Sequence, residues 1–405
     1  MQDVCAPNDG LIQLFTFDNI TTSTLNNEVD KSRYNILVIT FETTLYRKIE
    51  NYVKNSHFLN HDHFQFAFIY FHAQYNVDLY VTDCRMTNIS NAYFSSVFVL
   101  FYSKSYFENI VFDNATNNNQ PLFYFLYNFE NITMKNVTIK NFSGTATGFN
   151  DVITFANFPQ TVTVIEQLHT IDTTLDGKAL ISSVNDLQQI QIYDSVIESI
   201  DISSSDYIID TGQIKSAIIN TTTFSNIRLS DDVNTNGAVL FFNTLDMNSE
   251  LDTSIQDITI DDCEIPFVVF SSVINQSPVN KTLSISNISF TNTHFDSNRA
   301  LFSTKSIRLD TSLQISMTDL LFSNLTFSNT GKLIELEHQL PTYVTITNSQ
   351  FIDLNAAVIL IESSNTQNTN LTTLVQINDT VFDSINDKYN SLINVREGGQ
   401  LDINN

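Results

Sequence analysis

Apolar residues recur along the chain in one frame, seen most clearly between Leu313 and Leu325. Counted from Phe322, apolar side chains lie seven and five residues before it, an Asp lies three before and an Asn lies two after. Alternation of this kind is typical of a β-strand, because successive side chains point to opposite faces. The frame therefore predicts short strands separated by corners.

The frame returns thirteen times along the chain, at intervals of 21 to 41 residues. The residues taken as equivalent to Phe322 are Phe17, Phe58, Met86, Phe107, Ile139, Leu168, Ile197, Phe224, Ile265, Phe290, Phe351 and Phe382. A unit of about 30 residues must stack on its neighbours to bury its apolar face. Because solenoids lengthen without dividing, we expect one domain of about thirteen coils over residues 1–405.

Asn and Asp are concentrated at the two corner positions. We call Phe322 and its equivalents the anchors. Three residues before the anchor, nine of the thirteen copies carry Asn or Asp, and two residues after it eight copies carry Asn. These residues tolerate left-handed backbone geometry, and stacked Asn side chains hydrogen-bond from layer to layer. After a variable loop a second apolar run follows, as in Val239–Phe242 and Leu333–Leu336. Longer polar stretches near residues 21–31 and 230–253 are expected to protrude as loops.

With two or three short strands per coil and Asn-rich corners, the chain resembles a right-handed parallel β-helix of the pectin-lyase-like type. The likeness extends over roughly residues 10–405, and it is also similar to repeat regions of large surface proteins of single-celled eukaryotes. The resemblance implies an all-β solenoid with Asn and Asp ladders at its corners. Since the pattern is generic to the architecture, it implies a shape and no particular catalyst.

The net charge of −25, from 44 acidic and 19 basic residues, argues against binding to nucleic acid or anionic lipid. No run of eighteen apolar residues is present, so we expect no membrane-spanning segment. No motif indicates a cofactor. His57, His61 and His63 with Asp62 are the densest set of metal-ligand types, but we interpret them as a polar bend and expect no metal site.

Many proteins of the pectin-lyase-like type cleave polysaccharides, so the resemblance also raises an enzymatic alternative. Hydrolases need paired carboxylates, and the lyases need Ca²⁺-binding acids with a basic residue that accepts the proton. Asp261–Asp262 is the best local pair but has no nearby Arg or Lys in the sequence, and Asp231–Asp232, which follows Arg228 by three residues, is expected to lie in a loop. A carbohydrate-active enzyme or a glycan-binding β-helix therefore stays open as the alternative to a structural role.

Residues 64–129 are unusually aromatic. Their predicted strands are apolar both at the positions that face inward and at the positions that face outward. Inward rings are expected to fill the core, and the outward residues are expected to form a stripe across neighbouring coils. Those outward residues are Tyr70, Tyr102, Tyr124 and Leu126. Exposed apolar patches usually form interfaces, so we predict a protein partner or another copy of the chain, with a glycan platform as the alternative.

Three cysteines cannot all pair within one chain. Cys84 and Cys263 are assigned to the same repeat position, six coils apart, so a bridge between them is excluded and we expect buried thiols. Cys5 is left for an intermolecular disulfide.

Thirteen Asn-x-Ser/Thr triplets favour an N-glycosylated protein that is extracellular or on the cell surface. We expect modification at loop sites such as Asn114, Asn275 and Asn370, with Asn19, Asn131, Asn220, Asn280 and Asn378 as further candidates. Leu401–Asn405 matches the start of another copy of the repeat. We therefore predict a structural or adhesion module that continues axially, into further sequence or end to end into a filament.

Overall fold

The computed structural model describes residues 13–18, 21–23, 37–41, 49–64, 69–73, 77–91, 97–101, 104–117, 121–126, 131–145, 151–156, 161–176, 179–183, 187–202, 207–211, 214–229, 238–243, 251–264, 268–272, 281–295, 300–306, 313–327, 332–338, 342–355, 359–364, 373–386, 393–395 and 400–404. Every regular element within these ranges is a β-strand.

The first strands are β1 (Gln13–Asp18), β2 (Thr21–Ser23), β3 (Leu37–Phe41), β4 (Ile49–Lys54), β5 (His57–Phe64), β6 (Ile69–Ala73), β7 (Val77–Asn91), β8 (Phe98–Phe101), β9 (Lys104–Asn117), β10 (Phe123–Leu126), β11 (Ile132–Thr145) and β12 (Ile153–Ala156). They are followed by β13 (Val162–Ile171), β14 (Thr173–Asp176), β15 (Ile181–Ser183), β16 (Leu187–Tyr193), β17 (Val196–Ile202), β18 (Tyr207–Asp210), β19 (Ile214–Leu229), β20 (Ala238–Asn243), β21 (Leu251–Cys263), β22 (Val268–Ser272) and β23 (Lys281–Thr291). The last are β24 (His294–Phe295), β25 (Ala300–Ser306), β26 (Leu313–Phe327), β27 (Lys332–His338), β28 (Thr342–Thr347), β29 (Gln350–Asn355), β30 (Ile359–Ser364), β31 (Thr373–Asn378), β32 (Val381–Asn386), β33 (Ile393–Val395) and β34 (Gln400–Asn404).

The strands form two parallel sheets, a front sheet of 21 strands and a back sheet of 13. In the back sheet each strand pairs in parallel with its successor, as β8 does with β10 and β10 with β12. Successive coils of the front sheet pair in the same way, as β7 does with β9 and β9 with β11. The protein is a parallel β-solenoid, as predicted, and each coil satisfies its backbone groups through the coils on either side.

Two corners interrupt the front strands of each coil, and they lie in the left-handed region with φ between 48° and 57°. The first-corner ladder consists of Asn55, Asp83, Asn109, Asn136, Gln167, Asp194, Thr221, Asp257, Asn287, Asp319, Asn348 and Asp379. The second-corner ladder consists of Asn88, Asn114, Asn141, Asp172, Ser199, Asn226, Asp262, Asn292, Asn324, Asp353 and Ser384. Asn and Asp dominate both because their short polar side chains make this conformation accessible to a residue with a Cβ. The predicted corner ladders are confirmed.

Four of the thirteen sequence anchors are out of register. Phe107 pairs with Val81 and Met134, whereas Phe112 pairs with Met86 and Ile139. The correct anchors are Thr22, Phe112, Thr170 and Ile260 in place of Phe17, Phe107, Leu168 and Ile265. Three of these errors are shifts of five residues, the distance between the two corners of one coil.

The core is a set of apolar columns that run along the solenoid axis. On the back sheet, buried members of one such column are Phe98, Phe123, Ile153, Ile181, Ile209, Phe302 and Ile334. On the front sheet the rings of Phe290, Phe322 and Phe351 stack with centroids 5.0 and 4.9 Å apart, and Phe382 continues the stack at 4.9 Å. These distances equal the strand spacing, so the aromatic stack follows from the parallel register.

Buried hydroxyls and thiols support the corners. Wherever Ser, Thr or Cys directly follows a described corner residue, its side chain donates a hydrogen bond to the carbonyl two residues earlier. Examples are Ser56 at 2.7 Å, Ser195 at 2.8 Å and Cys84 at 3.3 Å. These side chains satisfy a carbonyl that the corner turns away from the regular ladder.

Both stretches expected to protrude as loops contain strands. Thr21–Ser23 is β2, while β20 and the beginning of β21 lie within residues 230–253. The remaining residues of these two stretches lie outside the described ranges.

Candidate functional site

Two members of the predicted aromatic stripe, Tyr124 and Leu126, lie on the outer face of the back sheet and are less exposed than expected. In β10, Phe123 and Phe125 are buried while Tyr124 and Leu126 point outward and are half-buried. Tyr124 lies between Val99 and the buried Thr154 in neighbouring coils. The backbone of Tyr70 aligns with Val99, but its side chain and all of Tyr102 lie outside the described part. Association through these residues stays a prediction.

A second aromatic ladder, missed in the sequence, lies on the outer face of the front sheet. The rings of Tyr52 and Tyr80 stack with centroids 4.8 Å apart, and Tyr106 follows at 6.0 Å in a tilted orientation. Lys54 Nζ lies 4.4 Å from the centre of the Tyr52 ring. Tyr recurs six residues before Phe58, Met86 and the corrected anchor Phe112, and the misplaced anchor at Phe107 hid this repetition. Since these ring faces already contact one another or a lysine, this ladder does not favour stacking on a sugar.

Carboxylates hold the hydroxyls of this tyrosine ladder. Tyr52 donates to Glu50 at 3.0 Å and Tyr80 donates to Asp78 at 3.2 Å. Burial raises the pKa of Tyr106, and hydrogen bonding to Glu108 and the Glu108 charge raise it further. The ladder is therefore a neutral, internally hydrogen-bonded stack.

Both carboxylates of the acidic pair Asp261–Asp262 accept hydrogen bonds at the corner. Asp261 Oδ1 accepts hydrogen bonds from Thr291 Oγ1 at 2.7 Å and from Asn292 Nδ2 at 2.9 Å. The Asp262 carboxylate accepts a hydrogen bond from the Arg228 guanidinium, which also donates to the Asp262 carbonyl at 2.8 Å. Glu264 lies 3.8 Å from the same guanidinium.

Arg228 corrects the expectation that no basic residue lies near this pair. It is distant in the sequence, but parallel stacking places it one coil below Asp262. The hydrogen bond to Asp262 raises the pKa of Arg228, although burial opposes the rise. Arg228 is thus held in its charged form and is unsuited to accept a proton. Asp231 and Asp232 lie outside the described residues.

The histidine set is placed on β5. His57 Nε2 lies 3.3 Å from Thr87 Oγ1, and His61 pairs with Ile89 in the next coil. The side chains of His61 and His63 are outside the described part. Where side chains are described, no group of three or more His, Cys, Asp or Glu is arranged to hold a metal ion.

Cys84 and Cys263 are unbridged and buried, as predicted. Their assignment to one repeat position is wrong, because Cys84 follows a first corner and Cys263 follows a second corner. Burial raises the pKa of Cys84 to about 11 and that of Cys263 to about 12. Both thiols are therefore protonated and unreactive at neutral pH. Cys5 lies outside the described residues.

The glycosylation candidates occupy different kinds of position. Asn114 is a second-corner residue inside β9 and not the loop residue that was expected. Asn131 is exposed directly before β11, whereas Asn220 and Asn378 are half-buried. Asn19, Asn275, Asn280 and Asn370 lie outside the described ranges. Modification of all eight stays a prediction.

The last coils expose apolar side chains at one end of the solenoid. The exposed fractions are 39% for Leu401 and 56% for Ile403, whereas Val381, at 52%, is at an outward position aligned with the exposed Gln350. Leu401 and Ile403 continue the inward columns of Val375 and Ile377, both of which are buried. One edge of β34 pairs with β31, and no described strand pairs with the other edge. This end is therefore the candidate interaction surface. We call it the terminal rung, and it consists of β34 together with the edge of β32 that does not pair with β29.

Comparisons with protein families, curated proteins and solved structures find no match to this chain. Within the described ranges, no helix has the length and apolar character needed to cross a membrane.

Proposed function

We propose that this β-solenoid is an extracellular or cell-surface structural or adhesion module, of the right-handed pectin-lyase-like type, that is extended axially by a further β-coil on the terminal rung. The following coil is supplied by continuing sequence or by another copy of the chain. The observation that carries the proposal is the pair Leu401 and Ile403, which lie in core columns but are exposed. An added strand would bury both and would pair the open edge of β34.

The engaged state of the best acidic pair also supports a structural role over the enzymatic alternative. A general acid or nucleophile needs a carboxylate that can reach its substrate, and both members of the Asp261–Asp262 pair already hold neighbouring coils. Incubation with neutral and acidic oligosaccharides tests this directly. We expect no cleavage, and cleavage that is lost in Asp262→Asn would overturn the structural role.

Sedimentation of the purified chain over a range of concentrations tests the axial contact. We expect concentration-dependent association that Ile403→Asp weakens by at least tenfold, because a buried Ile contributes roughly 1.5 to 3 kcal/mol and tenfold corresponds to about 1.4 kcal/mol. Gln400→Asp is the matched control, since it adds the same charge on the outward face of the same strand. Equal effects of the two substitutions would contradict the axial contact, and a chain that stays monomeric would exclude another copy of the chain as the source of the following coil.

A further inference from the structure

We propose that Asn131 carries an N-linked glycan and that the Asn-x-Ser/Thr sites within the corner ladders stay unmodified in the folded protein. The inference rests on the proposed extracellular location, since N-glycosylation occurs on the secretory route. It separates two classes among sites that satisfy the same sequence rule.

The first class consists of corner asparagines whose amide nitrogen already holds the neighbouring coil. Asn114 Nδ2 donates to Asn88 Oδ1 at 2.7 Å and Asn136 Nδ2 donates to Asn109 Oδ1 at 2.7 Å. The same contact joins Asn287 to Asp257 at 2.5 Å, Asn324 to Asn292 at 2.9 Å and Asn141 to Asp113 at 3.4 Å. All five donating residues begin an Asn-x-Ser/Thr triplet.

Glycan transfer acts on this same nitrogen. A lipid-linked pyrophosphate oligosaccharide donates its first sugar: the bond from sugar C1 to the phosphate oxygen breaks, a bond from C1 to Nδ2 forms, and one Nδ2 proton leaves with the lipid pyrophosphate. The modified amide has one N–H left and carries a bulky substituent. Neighbouring corners stack at the strand spacing of about 4.8 Å, so the first sugar would compete with the next coil for space. A chain modified at a corner asparagine would fold less efficiently and would be retained in the cell instead of being secreted.

Asn131 has none of these constraints. It is exposed, it lies before the first residue of β11, and its side chain has no hydrogen-bond partner among the described residues. Its backbone carbonyl accepts a hydrogen bond from Ser105 N at 3.2 Å, which fixes the main chain while leaving the amide free. A glycan on Asn131 would extend outward from the front sheet without parting two coils.

Site mapping of the secreted protein tests the distinction. The full chain is produced behind a secretion signal in eukaryotic cells, and glycans are released enzymatically in heavy-oxygen water, which marks each formerly modified Asn. We expect the label on Asn131 in the secreted pool, with Asn114, Asn136 and Asn287 unlabelled there. Asn131→Gln should remove that glycan without lowering secretion.

Two engineered sites supply a matched comparison. Gln314→Asn creates an Asn-x-Ser triplet with Ser316 at an exposed outward position at the start of β26, as Asn131 is at the start of β11. Val111→Thr creates a triplet beginning at Asn109, whose Nδ2 donates to Asp83 at 2.8 Å. We expect the Gln314→Asn site to be occupied in secreted protein and the Asn109 site to be bare. The inference would be overturned if the two engineered sites were glycosylated to the same extent in proteins that are secreted equally well. It would also be overturned if Asn131 were unmodified while a corner asparagine carried a glycan. A secreted chain with no glycan also overturns it, but leaves the axial contact to its own test.

Discussion

Charge alternation along the corner ladders is open to a direct test at Asn287. Within each described corner ladder no two aspartates occupy neighbouring coils, and Asn287 lies between Asp257 and Asp319 in the first-corner ladder. Its Nδ2 donates to Asp257 Oδ1 at 2.5 Å. Asn287→Asp replaces this hydrogen bond with a run of three carboxylates.

The expected cost has two parts. Unit charges about 4.8 Å apart at an exposed site repel by about 1 kcal/mol, and the new carboxylate has two such neighbours. Loss of the hydrogen bond adds about 1 kcal/mol. We therefore expect Asn287→Asp to lower local stability by about 3 kcal/mol at pH 7 and low salt.

Asn136→Asp is the matched control. Asn136 also donates to the coil below, at 2.7 Å, but its ladder neighbours are Asn109 and Gln167. It loses a hydrogen bond without gaining a charged neighbour, so we expect about 1 kcal/mol. The difference of about 2 kcal/mol isolates the repulsion between carboxylates.

Amide hydrogen exchange is the suitable assay, because coils open locally and a single unfolding free energy is not defined for a long solenoid. Exchange in β23 and β26 should accelerate in Asn287→Asp at pH 7. At pH 3, below the ordinary Asp pKa of about 3.9, protonation removes most of the repulsion and the two variants should converge. Equal destabilisation at pH 7, or a difference that persists at pH 3, would refute the reasoning.

Three further substitutions test the core, the corner thiols and the surface ion pairs. Phe322→Ala should cost about 3 to 5 kcal/mol and increase proteolysis only in neighbouring coils, because the ring is fully buried between two stacked rings. Cys84→Ser should change the local opening free energy of β7, measured by amide hydrogen exchange, by less than about 1 kcal/mol, since Ser56 makes the same corner bond in the preceding coil. Alkylation of Cys84 in the folded protein at pH 8 would contradict its burial. The raised Cys84 pKa contributes stability that is fully present below the unfolded thiol value of 9.0 and is lost as the pH rises through about 11. Burial would raise the pKa of Asp113, but hydrogen bonds from Lys140 and Arg85 lower it overall. Asp113→Asn should therefore cost at most about 1 kcal/mol at pH 7; in thermal melts the difference from the parent should begin to shrink below about pH 4 and vanish as the pH falls through the lowered folded-state pKa of Asp113.

The architecture followed from the sequence because two independent signals agreed. Apolar alternation defined the strands, and Asn or Asp at fixed offsets defined the corners. The register was harder to predict. The two corners of one coil are five residues apart and favour the same residues, so a shift of five reproduces nearly the same pattern, as happened at Phe107 and Ile265.

Side-chain contacts between neighbouring coils could not be predicted from the sequence. Arg228 and Asp262 are 34 residues apart, and only the pairing of β19 with β21 brings them together. Burial of the outward back-sheet position at Thr154 was likewise unpredictable from strand parity. The corner hydroxyls were recognisable in principle, because Ser, Thr or Cys directly follows Asn or Asp at many corners.

Electron cryomicroscopy of the natural protein tests the central claim most directly. If a further coil stacks on the terminal rung, density should continue beyond β34 as another parallel β-strand at the strand spacing of about 4.8 Å. Leu401 and Ile403 should then be buried by that strand. Separate rods in which the edge of β34 faces solvent, or is covered by a structure other than a β-coil, would contradict the account.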